Sequence, residues 1–175
     1  MPEPLTPAQL AEHSGLTVNP AAQTQRPRRN LHPLMRPAAP HDARIIATHR
    51  YPTEPDGPDH SIYAEWVAQA ITNGTYLGFL HDVNGAVIAG AGLTLLHWGP
   101  TRGHPNPWHA RIVNVWTHPH HRRAGHAHTL VTACLHAART RGITRLHLST
   151  TSAARSLYER LGFEPALTEL TLTDR

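Results

Sequence analysis

The chain has 175 residues, 39% of them apolar, and a formal charge of +4 in which every basic residue is arginine and none is lysine. That length and apolar share suit one globular domain with a real core and exclude a bundle of membrane-spanning helices, because no apolar run approaches the roughly 18 residues a span requires. The single cysteine, Cys134, excludes an internal disulfide and a thiolate metal cluster.

The opening residues, MPEPLTPAQLAEHSG, have neither the basic nor the apolar region of a signal peptide, so a cytoplasmic location without a membrane partner is expected. Residues 1–33 read as an N-terminal extension. A short helix would run from Thr6 as N-cap through Pro7 to Gly15, followed by a linker, NPAAQTQRPRRN, poor in apolar residues. The folded domain is expected over residues 34–175, beginning with a short strand at Leu34–Arg36 and a helix from Pro40 to Arg50 with Asp42 in its first turn.

After the proline-rich YPTEPDGPDH, the segment SIYAEWVAQAITNG predicts a second helix, with Ile62, Trp66 and Ala70 on its apolar stripe and Gly74 at its end. TYLGFLHD and AVIAGAGLTLL flank Asn84-Gly85, a pair that signals a tight hairpin. A loop, HWGPTRGHPNPWH, leads to the strand ARIVNVWT. A helix follows from Gly125 to Thr140, burying Leu130, Val131, Cys134, Leu135 and Ala138, so that Cys134 reads as a core residue rather than a nucleophile. Gly142 ends that helix, and ITRLHLST reads as the next strand. AARSLYERLG reads as a last helix closed by Gly162, and ALTELTLT as a last strand. Strand, glycine turn, helix and strand from Arg111 to Thr150 form a βαβ unit, so its two strands are expected to be parallel. The sum is a mixed α/β sheet with helices on both faces.

Between Asp82 and Glu159 there is no acidic residue, while arginine occurs at 102, 111, 122, 123, 139, 141, 145 and 155. Such a block suits an anionic partner, whether nucleic acid or a phosphorylated ligand. Its centre is HHRRAGHAHTLV, residues 120–131. The histidines do not have metal-ligand spacing: His126 and His128 are two apart, on different helix faces, and no carboxylate is near, so no native metal site is expected. A helix start is a different matter. Its first N–H groups lack intrahelical partners, its dipole is positive there, and a glycine lets an anion approach. Gly125 with the small Ala124 and Ala127, the hydroxyl of Thr129, and Arg122 and Arg123 at the mouth would suit a pyrophosphate.

Arg122-x-x-Gly125-x-Ala127 resembles the Arg/Gln-x-x-Gly-x-Gly/Ala signature of the GNAT superfamily of N-acetyltransferases. VNVWTHPHHRRAG resembles that family's fourth strand and its exit loop, SLYERLGFEP its late helix with a tyrosine before a Gly-Phe pair, and LMRPAAPHDARIIATHR its first strand and helix. The resemblance covers about Leu34 to Thr173. It implies a GNAT-like, mostly antiparallel mixed sheet with a central parallel pair, and acetyl-coenzyme A as co-substrate. The amides of Arg123, Ala124, Gly125, His126, Ala127 and His128, with Arg122, would hold the pyrophosphate. The backbone of Val115, Trp116 and Thr117 would meet the pantetheine arm where the parallel strands splay. Val115 N–H would stabilise the oxyanion, and Tyr158 would act as general acid.

Two positions depart from the family pattern. Thr151 stands where many members have an asparagine that bonds the cofactor. The strand ARIVNVWT carries Asn114 and no glutamate, which leaves the general base among a water chain, His118 and Glu65. By the same resemblance the acceptor wall would include Glu54, Asp56, Asp59, Glu65, Trp98 and Trp108, acids beside aromatics that suit a cationic amine. The expected partner is a small-molecule or peptide amine, with a homodimer as a compatible assembly and no nucleic acid. The alternative on the same scaffold is an acyl-coenzyme A sensor without catalysis.

Overall fold

A computed structural model of the chain describes residues 34–53 and 57–166. Its five strands are β1 (Leu34–Pro37), β2 (Tyr76–Val83), β3 (Ala86–His97), β4 (Trp108–Thr117) and β5 (Leu146–His147). They lie in that order across one sheet, antiparallel except for the parallel pair β4–β5. The helices are α1 (Ala43–Arg50), α2 (Pro58–Thr72), α3 (His126–Arg139) and α4 (Arg155–Arg160), with 3₁₀ turns at Pro40–Asp42 and Pro119–His121. The expected mixed α/β fold with its parallel βαβ unit is present. The expected N-terminal helix and the final strand ALTELTLT fall largely or wholly outside the described residues.

Local chemistry accounts for the first elements. Asn84 and Gly85 take φ values of 55° and 84°, the left-handed pair that a two-residue hairpin turn requires. Asp42 closes the entry to α1. Its carboxylate receives both Nη atoms of Arg36 at 2.8 Å and the Ala39 amide at 2.8 Å, with the side chain only 5% exposed. The Arg36 guanidinium holds this carboxyl below its ordinary range, against the opposing effect of burial. Asp42→Ala removes three charge-assisted hydrogen bonds and leaves Arg36, 30% exposed, with Asp82 at 3.9 Å, so it is expected to destabilise the fold by about 2 kcal/mol in urea titrations. Since the folded-state pKa is lowered, the wild-type contribution is complete above about pH 4, the range of an unfolded aspartate. It is lost as pH falls through the lowered folded value.

Two apolar clusters sandwich the sheet. On one face, Leu130, Val131, Cys134, Leu135 and Ala138 of α3 pack on Ala89, Ala91, Leu93, Ala110 and Ile112, and Tyr158 of α4 joins them. Cys134 is a packed core thiol that burial pushes up to about 12. On the other face, α1 and α2 contribute Ala43, Ile46, Ala47, Ala64, Val67 and Ala70, packed with Tyr76 and Leu80.

The stripe expected on α2 is corrected here. Ile62 is 66% and Trp66 42% exposed, and the buried residues are His60, Ala64, Val67 and Ala70. The gap under α2 takes alanine and valine. The larger Trp66 moves to the rim, where it lies over Tyr63 with ring centroids 5.4 Å apart and meets Tyr76 edge-on. The strand expected over ITRLHLST is also shorter than its apolar pattern. Only Leu146 and His147 pair with β4, opposite Ala110 and Arg111.

Candidate functional site

The site begins with an irregularity in β4. Gly90 pairs with Trp116 and Gly92 with Val113, so Asn114 and Val115 together face the single residue Ala91. Asn114, at φ 55°, is the bulged residue. The extra residue resets the alternation of faces. Val113 packs with the α1–α2 cluster, whereas Val115 packs with the α3–α4 cluster. Asn114 Nδ2 donates to the hydroxyls of Tyr63 at 2.9 Å and Tyr76 at 3.0 Å, which fixes the bulge to α2 and β2. Gly92 makes this possible, because a Cβ there would stand inside the Tyr76 hydroxyl. Pairing to β5 stops at Arg111, so Val115 has no register partner on either side.

Past β4 the chain turns through Pro119–His121 into α3. Arg123 takes φ 66° and Gly125, the N-cap, φ 82°. Alternating left-handed residues at a helix start curl successive N–H groups around one concavity, a shape that suits an anion. Among the described residues, no backbone carbonyl or side chain accepts from any of the six amides from Arg123 to His128, and the first helical bond is Thr129 N–H to Gly125 O at 3.1 Å. Nothing lies within 4 Å of where a Cβ at Gly125 would be. Thr129 turns its hydroxyl back to Gly125 O at 3.3 Å, so it donates within its own helix rather than outward. Arg122 Nε donates to Thr117 O at 3.3 Å and ties the loop to the end of β4.

These parts wall a cleft of about 780 Å³. Val115, Trp116 and Thr117 form one side; Arg122, Arg123, Gly125, His126, Ala127 and His128 form the floor; and Leu157, Tyr158 and Arg160 of α4 face them. Ala124 is exposed and outside this lining, as is Thr151, whose carbonyl instead accepts from Ala154 N–H at 3.1 Å at the start of α4.

Val115 and Tyr158 also border a second cavity of about 250 Å³ in the opening between β4 and β5, together with His49, Arg50, Asn114 and Ser149. The two spaces therefore meet at this pair. Tyr158 is buried, its ring edge-on to Phe163, and its hydroxyl has no hydrogen-bond partner among the described residues. Burial raises its pKa, so the phenol is protonated at neutral pH.

The side chains expected to supply a base do not line either space. Glu65 is exposed on α2, and His118 accepts from His120 N–H at 3.3 Å while its ring stands edge-on to Trp116. The residue that does line the smaller cavity is His49, which sequence reasoning passed over. Its only signal there was a histidine in register with Ile46 on the apolar face of the first helix. Of the acids and tryptophans expected at the acceptor wall, Asp59, Glu65, Trp98 and Trp108 do not line this cavity. Glu54 and Asp56 lie outside the described residues, Asp59 is exposed in the first turn of α2, and Trp98 stacks on His109. Trp108 meets His97 edge-on. Among the described residues, no group of three histidine, cysteine or carboxylate side chains has a geometry that would hold a metal ion, and no helix is long and apolar enough to cross a membrane.

Solved structures share this architecture. A predicted acetyltransferase from Clostridium acetobutylicum, solved with acetyl-coenzyme A, superposes with a TM-score of 0.74 at 20% identity, over 81% of this chain and 96% of that one. A GCN5-related N-acetyltransferase from Ralstonia eutropha gives 0.71 at 26% identity, over 81% and 98%. An aminoglycoside N-acetyltransferase in complex with coenzyme A gives 0.66 at 19% identity, over 85% and 98%. No curated protein matches the chain by sequence. The model of the GNAT acetyltransferase family matches residues 41–163, which take in α1, the bulged strand, the loop into α3, and α4 with its tyrosine. With the greater part of its length so matched, the chain belongs to the GNAT family of acetyltransferases.

Proposed function

We propose that this protein moves the acetyl group of acetyl-coenzyme A to a primary amine of a small molecule or peptide, with residues 34–175 as the catalytic domain and 1–33 as an extension. The observation that carries this reading is the convergence of five acceptorless amides, those of Arg123 and Gly125 to His128, the two arginines, Val115 and Tyr158 on one cleft. A diphosphate would be held by the amides of Arg123 to His128, with charge from Arg122 and Arg123. The pantetheine arm would run along Val115, Trp116 and Thr117, where β4 has no β5 residue paired beside it. The thioester supplies an activated acyl carbon. Val115 N–H would donate a hydrogen bond to the oxygen that gains charge. Tyr158 gives its proton to the departing sulfur.

The other reading, an acyl-coenzyme A sensor, draws support from the absence of a carboxylate among the described residues lining either space. Titration calorimetry tests what the two share: acetyl-coenzyme A is expected to bind in the micromolar range, and no heat at millimolar ligand would overturn both. Thiol release across aminoglycosides, polyamines, amino acids and peptide N-termini separates them, since a sensor binds without turnover.

A further inference from the structure

The smaller cavity, beside Val115 and Tyr158, carries a charge that its occupant must answer. Burial holds the His49 imidazole neutral, with its pKa lowered to about 4, so among the described residues bordering this space Arg50 alone is charged at neutral pH. Arg50 ends α1 and is exposed. Its guanidinium lies over the Tyr63 ring, 4.8 Å from the centroid, and Nε donates to the Tyr51 hydroxyl at 3.4 Å. Tyr63 in turn accepts from Asn114 of the bulge at 2.9 Å, which ties the Arg50 seat to the strand that carries Val115. A guanidinium resting on an aromatic face keeps its N–H edge for another acceptor. No carboxylate of the described residues pairs with it, and Glu159, next to Tyr158 on α4, is taken by Arg155 at 2.7 Å.

A second arginine adds to the field. Arg111 of β4 donates from Nη2 to Ser149 Oγ at 2.7 Å, and Ser149 borders the same cavity. That bond leaves the Ser149 hydroxyl its own proton to donate. Asp59 and Glu65, the acids that would have suited a cationic amine, do not border this space. A cation held without a counter-ion favours an anionic ligand and repels a cationic one.

We propose that the acceptor is an anionic amine, whose carboxylate or phosphate pairs with Arg50 and so turns the nitrogen toward the acyl group between Val115 and Tyr158. This rests on the acetyl-transfer reading above and names the substrate class of that site. Both anions match the guanidinium fork. A cavity of about 250 Å³ places the two ends of such a ligand within a few bonds of each other, as in an α- or β-amino acid or an aminoalkyl phosphate.

The test is acetyl transfer, read by thiol release, over matched amines. An α-amino acid is set against its amide and an aminoalkyl phosphate against its amino alcohol, with a polyamine as the cationic extreme. In each pair the uncharged member has the less basic amine, so the supply of free amine works against the expected preference. Wild type is expected to favour the anionic member of at least one pair by about tenfold or more in kcat/KM, the scale of one charge-assisted hydrogen bond, and that pair identifies the anion. Arg50→Gln should bring this ratio close to one and Arg50→Lys should recover part of it, with acetyl-coenzyme A affinity by calorimetry unchanged in both. A merely structural role would lower both members together and leave the ratio where it was. A wild type that prefers the uncharged amines or the polyamine, or a ratio that survives in Arg50→Gln, would overturn this inference alone. A wild type that binds no acetyl-coenzyme A, or releases no thiol with any amine, would overturn the acetyl-transfer reading and this inference with it.

Discussion

Tyr158→Phe is expected to lower kcat about 100-fold, or about 2.7 kcal/mol of barrier, while the dissociation constant for acetyl-coenzyme A stays where it is. The substitution deletes one oxygen. The ring keeps its place against Phe163 in the α3–α4 cluster, so neither the fold nor the cleft changes shape. What goes is the hydroxyl, which has no protein partner to satisfy among the described residues and stands where the two cavities meet. Poor turnover with intact binding, from steady-state kinetics beside calorimetry, is the signature of a group that acts in the transition state. The pH profile adds a signed expectation. Burial raises the Tyr158 pKa, so the acid form outlasts an ordinary phenol, and wild-type turnover should hold until above about pH 10 on the alkaline side. Equal turnover in the phenylalanine variant would remove Tyr158 from the mechanism.

Gly125→Asp is expected to weaken acetyl-coenzyme A binding by about 100-fold, whereas Gly125→Asn should cost about tenfold or less. The two replacements share a backbone requirement and differ in charge. Position 125 sits at φ 82°, in the left-handed region that asparagine and aspartate tolerate better than other side chains, so both variants should fold. Both side chains would project into open space at the head of α3. The aspartate alone places a negative charge where the diphosphate would sit. At about 5 Å and an effective dielectric of about 20, that repulsion is about 3 kcal/mol. Matching affinities for the two variants, measured at one ionic strength, would mean that the anion is not at this helix start.

Much of the architecture was legible in the sequence because local chemistry controls it. Asn84-Gly85 forced a turn of one hand, and Gly142 and Gly162 stand at φ 69° and 88° where their helices end. The α3 stripe from Leu130 to Ala138 is buried as its 3.6-residue period required. The glycine at the α3 start was readable for the same reason, since an unpartnered set of amides follows from helix geometry wherever a helix begins.

The misplaced features all depend on residues far apart in the chain. The α2 helix carries two competing apolar stripes. Only the narrow gap beneath it selected Ala64 and Val67 over Ile62 and Trp66. The bulge at Asn114 cannot be seen in ARIVNVWT, which reads as an unbroken strand. It exists because Tyr63, Tyr76 and the space above Gly92 converge on one amide.

The sequence by itself determined the helix starts and stops, the hairpin, the basic loop before α3 and the family resemblance, because each is written in neighbouring residues. Tertiary structure alone decided that Val115 and Tyr158 meet, that β5 parts from β4 after two residues, and that His49 stands unpartnered between Trp116 and Gly90. Those facts turn on which surfaces face one another across the sheet, and no local periodicity encodes a distance between side chains that are dozens of residues apart.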